Sequence, residues 1–217
     1  LDEKIFPIVD KSDPKTEKTI NQISDNLKVV ISEGERLTHL INDVLDLAKI
    51  EAGKMALHPR DIILRDVFER LMALFSQIAK QKGNKLTFDL ADDIPECVQV
   101  DETRLLQILS NLTSNALKFT ENGNIQIAVS VLNKMNDCFD LHVKISDSGV
   151  GISEADLKIL FNSFQQLDNS TTKVHGGTGL GLAIVKKMIE EHFGQIKIEN
   201  NLIGGACITI ALPIENA

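Results

Sequence analysis

The feature that most constrains the fold is a run of apolar residues near the start of the chain, spaced alternately three and four positions apart. The run consists of Ile20, Ile23, Leu27, Val30, Leu37, Ile41, Val44 and Ala48, and it is interrupted only by Gly34. This heptad spacing predicts a long amphipathic helix. Ile31, Leu40 and Leu47 widen the apolar stripe beyond a two-stranded seam, which is typical of a helical bundle. Gly53 is expected to cap the end of this helix.

Two roles remain open for the heptad helix. It could pack against its own domain, or it could pair with a second copy of the chain, and its length and its place near the chain's beginning favour dimerisation. The preceding segment, residues 1–18, is charged and contains Pro7 and Pro14. Its composition predicts a loop or the frayed end of a longer element.

After Gly53 the sequence pattern changes to short strand-like and helix-like segments without regular alternation. Helical periodicity is found in "RDVFERLMALFSQIAKQKG" and "ETRLLQILSNLTSNALKFT", and a short helix is expected from Glu154. The segments "NIQIAVSVLN" and "FDLHVKISD" alternate in polarity and are joined by "KMND", which predicts a hairpin. We therefore expect an α+β fold, a two-layer sandwich in which one mixed sheet is backed by helices, preceded by the long helix.

Composition excludes several classes of protein. The net charge of −8 argues against sequence-independent binding to nucleic acid, which requires clustered Lys and Arg. Cys97, Cys138 and Cys207 are far apart and lack C-x-x-C spacing, which favours buried thiols in a reducing compartment over disulfides or a zinc site. No apolar run approaches the ~18 residues that a membrane-spanning helix needs.

The segment "NLTSNALKFT" places polar groups on one face of a predicted helix. Asn111 and Asn115 are four residues apart, Gln107 precedes them by another four, and Lys118 follows by three. Amide oxygens are ligands for a hydrated cation such as Mg²⁺, and a lysine adds a charge for phosphate. The alternative is that these residues are the solvated side of an ordinary helix.

A second polar group stands at the end of a predicted strand. In "ISDSGVGIS", Asp147 ends the strand, and Gly149 and Gly151 follow it. A carboxylate there can accept a hydrogen bond from an exocyclic amine, and the glycines let a flat ring approach the backbone. The alternative is a simple turn before a helix capped by Ser153.

A third motif, "VHGGTGLGLAIVKK", places Gly177, Gly179 and Gly181 immediately before a helical segment. Glycines at a helix start are typical of a site that holds an anion. The spacing matches neither the dinucleotide fingerprint G-x-G-x-x-G nor the P-loop. Phe161 and Phe164 precede the polar loop that leads into these glycines, and each could equally be a core aromatic.

Together and in this order, the motifs resemble those of the sensor histidine kinases, whose nucleotide-binding domain is of the Bergerat (GHKL) type. The resemblance includes the N box "NLTSNALKFT", the glycine boxes "DSGVG" and "GGTGLGLAI", and the F-box-like "LFNSFQQ". "RLTHLINDVLDLAKIEAGKM" is similar to the end of the family's second dimerisation helix. The resemblance implies a partial dimerisation region at residues 1–53 and an ATP-binding catalytic domain at residues 54–217.

The resemblance also implies roles for individual residues. Asn115 would coordinate Mg²⁺, Asn111 would lie near the metal or the phosphates, Lys118 would meet phosphate oxygens, and Asp147 would bind the adenine amine. Gly149 and Gly151 would shape the ring pocket, and residues 165–176 would form a mobile lid, with Phe161 and Phe164 in the F box. The phosphates would be held by the second glycine box, which comprises Gly177, Thr178, Gly179, Leu180, Gly181 and Leu182.

Asn111 bears on the choice between reactions. Gyrase-like and chaperone-like members of the superfamily have a glutamate at this position, which activates water for hydrolysis. A neutral asparagine is a poor general base, which favours transfer of phosphate to a histidine over hydrolysis. A hydrolysing GHKL ATPase and a degenerate, non-catalytic interaction module remain the alternatives.

Two departures from the family pattern stand out. In the last glycine box, "LIGGACI", Ile203 replaces a glycine and Ala206 replaces a hydroxyl residue, which is expected to remove a hydrogen bond near the adenine. None of the five histidines, His39, His58, His142, His175 and His192, lies in an H-E-L-R-T-P-like phosphoacceptor signature. The acceptor helix is therefore expected upstream of Leu1.

The resemblance also implies partners and a location. The partners would be the receiver domain of a response regulator and a second copy of the full-length kinase. The expected location is the cytoplasm, with any membrane attachment made through regions upstream of this chain.

Overall fold

The computed structural model describes residues 14–135, 138–162, 179–201 and 204–216. Within these residues the helices are α1 (Pro14–Glu51), α2 (Leu64–Gln81), α3 (Glu102–Phe119), α4 (Glu154–Leu157) and α5 (Gly181–Glu191). The strands are β1 (Arg60–Ile63), β2 (Lys85–Leu90), β3 (Cys97–Val100), β4 (Asn124–Met135), β5 (Cys138–Asp147), β6 (Gln195–Asn200) and β7 (Ala206–Asn216).

The chain divides into two compact units, Leu1–Leu45 and Asp46–Ala217. In the first unit, the heptad residues Val30 and Leu37 have 67% and 58% of their surface exposed in the single chain. An apolar helix face that pairs with a second helix would be exposed in this way in a single chain. Dimerisation through this face stays a prediction. No described helix is both long enough and apolar enough to cross a membrane.

Both ends of α1 can be explained from the sequence. Gly53 adopts φ 61°, and Lys54 N–H donates to Lys49 C=O at 2.9 Å, so the predicted glycine cap is confirmed. The prediction of a loop through residue 18 is wrong, because α1 begins at Pro14. Proline suits the first helical position, where its missing N–H would have no intrahelical acceptor, and Glu17 in the first turn favours the helix dipole.

One mixed sheet lies at the centre of the second unit. Its strand order is β1-β3-β7-β5-β4-β2, with β6 also paired to β7. The predicted hairpin is confirmed, because β4 and β5 pair antiparallel with Ile127 opposite Ile145, whereas β2 pairs parallel to β4. On β7, Ile208 lies opposite Ile145, and this register brings the start of β7 next to the end of β5.

The core lies between the sheet and the helices. Alternate residues of β4 and β5 are buried, among them Ile125, Ile127 and Leu141, while their neighbours along each strand are more exposed. Buried leucines of α3 and apolar residues of α5 cover this face, and Leu47 and Ile50 from the last turns of α1 belong to the same cluster. The predicted α+β fold, with a mixed sheet backed by helices, is confirmed.

Candidate functional site

Asp147, the last residue of β5, is held at the edge of the site by backbone groups. Its Oδ1 accepts hydrogen bonds from Gly149 N–H at 2.9 Å and from Ala206 N–H at 3.2 Å. Ala206 is within reach because Ser146 pairs with Cys207 in the β5–β7 ladder. Burial raises the pKa of Asp147 above its ordinary value of 3.8, and the two N–H donors partly oppose that rise.

Thr120 lies beside this carboxylate, directly after α3. Its side chain is buried, and its Oγ1 has no hydrogen-bond partner of good geometry among the described residues. The hydroxyl is nevertheless close enough to the Asp147 carboxyl to lower its pKa slightly. The buried Thr120 hydroxyl beside the partly buried Asp147 carboxylate adds a second polar group to this end of the site.

Glycines allow two close backbone approaches around Asp147. A Cβ at position 149 would overlap the Phe119 carbonyl, so Gly149 lies directly against the end of α3. Gly205 has φ 84°, and a Cβ there would overlap the carbonyl of Asp147. The "DSGVG" loop is thereby brought together with the end of the N-box helix and with the start of β7.

Helix α3 presents the predicted N-box residues on its open face. Leu109, Thr113 and Leu117 on its opposite face are buried, while Asn111 and Asn115 are half-buried. The predicted sharing of one face is therefore confirmed. The donor set suits Mg²⁺, which keeps several waters and is bound through one or two protein oxygens together with phosphates.

Both ends of α3 are fixed by side chains. At its start, the carboxylate of Asp101 accepts hydrogen bonds from the N–H groups of Arg104 and His58, at 3.1 and 2.9 Å. At its end, Lys82 Nζ donates to the Leu117 carbonyl at 2.9 Å, and the Asn84 amide donates to the Thr120 carbonyl at 2.7 Å. The helix that carries the N box is thus held at a defined position.

The cationic and aromatic side chains predicted for the site lie on α3 and beside α5. Lys118 Nζ is 5.0 Å from the centre of the Phe119 ring, at the end of α3. Lys186 Nζ, on α5, lies 5.3 Å from the centre of the Phe161 ring. The Phe161 ring is therefore held against the helix that follows the second glycine box.

The second glycine box is described only from Gly179 onward. Gly179 has φ 69°, Gly181 begins α5, and α5 packs against α3. Leu180 is buried in the core and Leu182 packs against it, so these two leucines can face a ligand only through their backbone. Gly177, Thr178, Phe164 and residues 165–176 lie outside the described residues.

Sequence reasoning missed several residues of the site. Asn201 Nδ2 donates to the carbonyls of Asp147 and Ala206, at 2.9 and 3.0 Å. The Asn200 amide pairs with the backbone of Ile152. Thr120 and Gly205 were also not predicted as site residues. The signal that could have found the amides is the pair "NN" before the last glycine box, where the turn needs side-chain partners.

The comparisons with known proteins agree with this architecture. Residues 100–216, more than half of the chain, match the family described as "Histidine kinase-, DNA gyrase B-, and HSP90-like ATPase". The chain therefore belongs to this family, and the resemblance to sensor histidine kinases found in the motifs is confirmed.

Curated relatives narrow the class within the family. The chain is 41% identical over 186 residues to the signal transduction histidine-protein kinase BarA of Escherichia coli K12, a match that covers 86% of this chain and 20% of BarA. It is 36% identical over 203 residues to the sensor protein GacS of Pseudomonas syringae, covering 94% of this chain and 22% of GacS. The chain thus spans about a fifth of the length of these relatives.

Solved structures agree with the fold. The full-length histidine kinase ShkA, in complex with AMPPNP, matches with a TM-score of 0.76 and 26% identity, covering 96% of this chain and 41% of ShkA. The Acinetobacter baumannii histidine kinase AdeS matches with a TM-score of 0.68 and 25% identity, covering 97% of this chain and 89% of that structure. The architecture is therefore that of a histidine kinase.

Proposed function

We propose that residues 54–217 bind Mg²⁺·ATP and catalyse transfer of its γ-phosphoryl group to a histidine, and that residues 1–53 are part of a helical dimerisation region. One observation carries this proposal: Gly149 lies against the carbonyl of Phe119. This contact joins the Asp147 loop, suited to an adenine, to the helix that carries Asn111 and Asn115, suited to phosphate and metal. The AMPPNP complex of ShkA supports nucleotide binding by the same architecture.

Each group has a distinct role in the proposal. Asp147 would accept a hydrogen bond from the adenine amine, and Asn115 would hold Mg²⁺, which would supply positive charge to neutralise the phosphates. Lys118 and the first N–H groups of α5, beginning at Gly181, stabilise the phosphate oxygens. A neutral acceptor histidine is itself a nucleophile, so Asn111 need not act as a base.

We further propose the context in which the reaction occurs. The acceptor histidine is not one of the five in this chain, and the phosphoryl group passes on to an aspartate in the receiver domain of a response regulator. The exposed heptad residues of α1 pair with a second copy of the kinase. The domain works in the cytoplasm, where ATP is available.

Two measurements separate the kinase from an ATPase. With labelled ATP and no added acceptor, the chain is expected to bind nucleotide without sustained release of phosphate and without label on His39. Replacing Asn111 by Glu supplies a general base, which is expected to raise hydrolysis by about 10²-fold. Asn111→Gln, equal in size but without the base, is the matched control. Rapid turnover by the unaltered chain would favour the ATPase, and label on His39 would contradict the proposed acceptor.

A further inference from the structure

We infer that Asn200 and Asn201 are positioning residues that fix the Asp147–Ile152 loop and thereby set the selectivity of the site for adenine. The inference rests on the proposed function and extends it to two side chains that contact no substrate themselves. They stand at the end of β6, immediately before the last glycine box. Each amide binds the backbone of the loop at a different end.

Asn201 holds the beginning of the loop. Its Nδ2 donates to the Asp147 carbonyl at 2.9 Å and to the Ala206 carbonyl at 3.0 Å. Ala206 N–H in turn donates to Oδ1 of Asp147 at 3.2 Å. The turn that carries Asn201 is itself closed, since Asn201 N–H donates to the Gly205 carbonyl at 2.9 Å. The position of the Asp147 carboxylate is therefore tied to the β6–β7 turn.

Asn200 holds the other end of the loop. Its Oδ1 accepts from Ile152 N–H at 2.8 Å, and its Nδ2 donates to the Ile152 carbonyl at 2.6 Å. One amide thus satisfies both backbone groups of Ile152, as a neighbouring strand would. The arrangement favours glycine at position 151, because its φ is 71° and a Cβ there would lie 3.1 Å from Asn200 Oδ1, a tight contact.

The two amides hold the loop on both sides of the glycines that shape the proposed ring pocket, and we call the pair Asn200 and Asn201 the bracket. Between the bracketed positions lie Gly149 and Gly151, whose conformations no side chain of their own can restrict. Such a segment loses much conformational entropy when it is ordered, so external hydrogen bonds determine how much of the population is competent to bind. Ala206 contacts Asp147 through its backbone N–H, so this contact does not depend on a hydroxyl side chain at position 206.

The Asn200 and Asn201 amides contact the Asp147–Ile152 loop of the proposed adenine pocket and not the proposed Mg²⁺ site at Asn115. The inference can therefore be tested by measuring base selectivity and Mg²⁺ dependence separately. Removing either amide is expected to weaken ADP binding about tenfold, the effect of reducing the competent loop conformer to one tenth of the population. Discrimination between ADP and inosine diphosphate, which lacks the 6-amino group, should fall. The dependence of ADP affinity on Mg²⁺ should stay unchanged, because Asn115 lies on α3.

Titration calorimetry of ADP and inosine diphosphate, with and without Mg²⁺, tests the inference on the unaltered chain, Asn200→Ala and Asn201→Ala. Asn133→Gly is the matched control, because its amide donates to Asp140 at 2.7 Å on the exposed hairpin and its φ of 51° suits glycine. Thermal unfolding of each variant establishes that it is folded. Asn200→Asp keeps the side-chain size, replaces the amide that donates to the Ile152 carbonyl by a carboxylate oxygen and adds a negative charge. It is the variant to measure if Asn200→Ala does not fold.

Lower ADP affinity and lower base discrimination, with an unchanged Mg²⁺ effect, would support the bracket. Folded variants that bind ADP as the unaltered chain does would overturn it and leave the proposed function standing. Equal losses for ADP and inosine diphosphate would also overturn it, because the amides would then act on overall stability. No ADP binding by the unaltered chain would overturn the proposed function as well.

Discussion

Arg104, near the start of α3, forms a part-buried ion pair with Asp46, in the last turns of α1, at 3.2 Å. Gln107 completes the group, because it accepts from Arg104 at 2.8 Å and donates to Asp46 at 2.9 Å. Gln107 lies one helical turn before Asn111. The network therefore joins the last turns of α1 to the helix that carries the N box.

A double-mutant cycle of Asp46→Ala and Arg104→Ala, followed by urea unfolding, measures this pair. Because both side chains are largely buried, we expect a coupling free energy of about 1–2 kcal/mol. The exposed pair of Lys28 with Asp25, at 3.0 Å, is the control and should couple by about 0.5 kcal/mol or less. Equal coupling in the two pairs would mean that the network has no special part in stability.

The raised pKa of Asp147 gives opposite pH effects on folding and on binding. Since the folded state holds the Asp147 proton more tightly than the unfolded state, the contribution of Asp147 to the free energy of unfolding should rise as pH falls through the raised pKa toward 3.8. ADP affinity should fall over the same window, because protonation removes the acceptor for the adenine amine.

Asp147→Asn tests both effects, because it keeps an acceptor for the Gly149 and Ala206 N–H groups and cannot ionise. At pH 7 it should be at least as stable as the unaltered chain, while ADP affinity drops by about tenfold or more. Urea unfolding and titration calorimetry across pH measure the two. An ADP affinity at pH 7 equal to that of the unaltered chain would contradict the role of this carboxylate.

Gly205 is expected to tolerate no side chain. Gly205→Ala forces a Cβ into the Asp147 carbonyl at a backbone φ of 84°, so unfolding free energy should fall by about 2–4 kcal/mol. Gly181→Ala is the matched control, because a Cβ there meets nothing within 4 Å and alanine favours the helix. Differential scanning calorimetry compares them, and similar melting temperatures would show that the close approach is not required.

Phe193 offers a stabilising substitution. Its backbone is left-handed, with φ 56°, which is unfavourable for a residue with a side chain. Because 88% of its surface is exposed, packing of the ring offsets little of this cost. Phe193→Gly should raise the free energy of unfolding by about 1 kcal/mol. Phe193→Ala, which removes the ring and keeps the Cβ, should bring no such gain. If alanine stabilises as much as glycine, the ring and not the backbone is responsible.

Local patterns predicted much of this fold. The spacing from Ile20 to Ala48 predicted α1, because side chains three or four residues apart lie on the same face of a helix. Alternation along β4 and β5 predicted their hairpin, because side chains two residues apart lie on the same face of a strand. Gly53 was predicted as a cap because few other residues adopt its positive φ. The position of Asp147 at the end of a strand was likewise predicted from the alternating residues before it and the glycines after it.

The remaining features depend on residues that are distant in the sequence. Ala206 reaches Asp147 only through the register of β5 with β7, and Arg104 reaches Asp46 only through helix packing. The hydrogen bond from Ile152 N–H to Asn200 depends in the same way on the sheet, which brings the loop after β5 close to the end of β6. No periodicity within one segment encodes these contacts, so the sequence indicated candidate site residues but not the contacts that hold them in place.

The proposal that the N-box helix binds Mg²⁺ together with nucleotide is tested by the Mg²⁺ dependence of ADP binding to the unaltered chain and to Asn115→Ala, measured by titration calorimetry. Asn115 is half-exposed on α3, so its truncation should leave thermal unfolding unchanged. We expect Mg²⁺ to strengthen ADP binding to the unaltered chain and to Asn133→Gly, and we expect this gain to be lost in Asn115→Ala. An Asn115→Ala variant with the full Mg²⁺-dependent affinity would contradict the proposed role of Asn115 as the Mg²⁺ ligand.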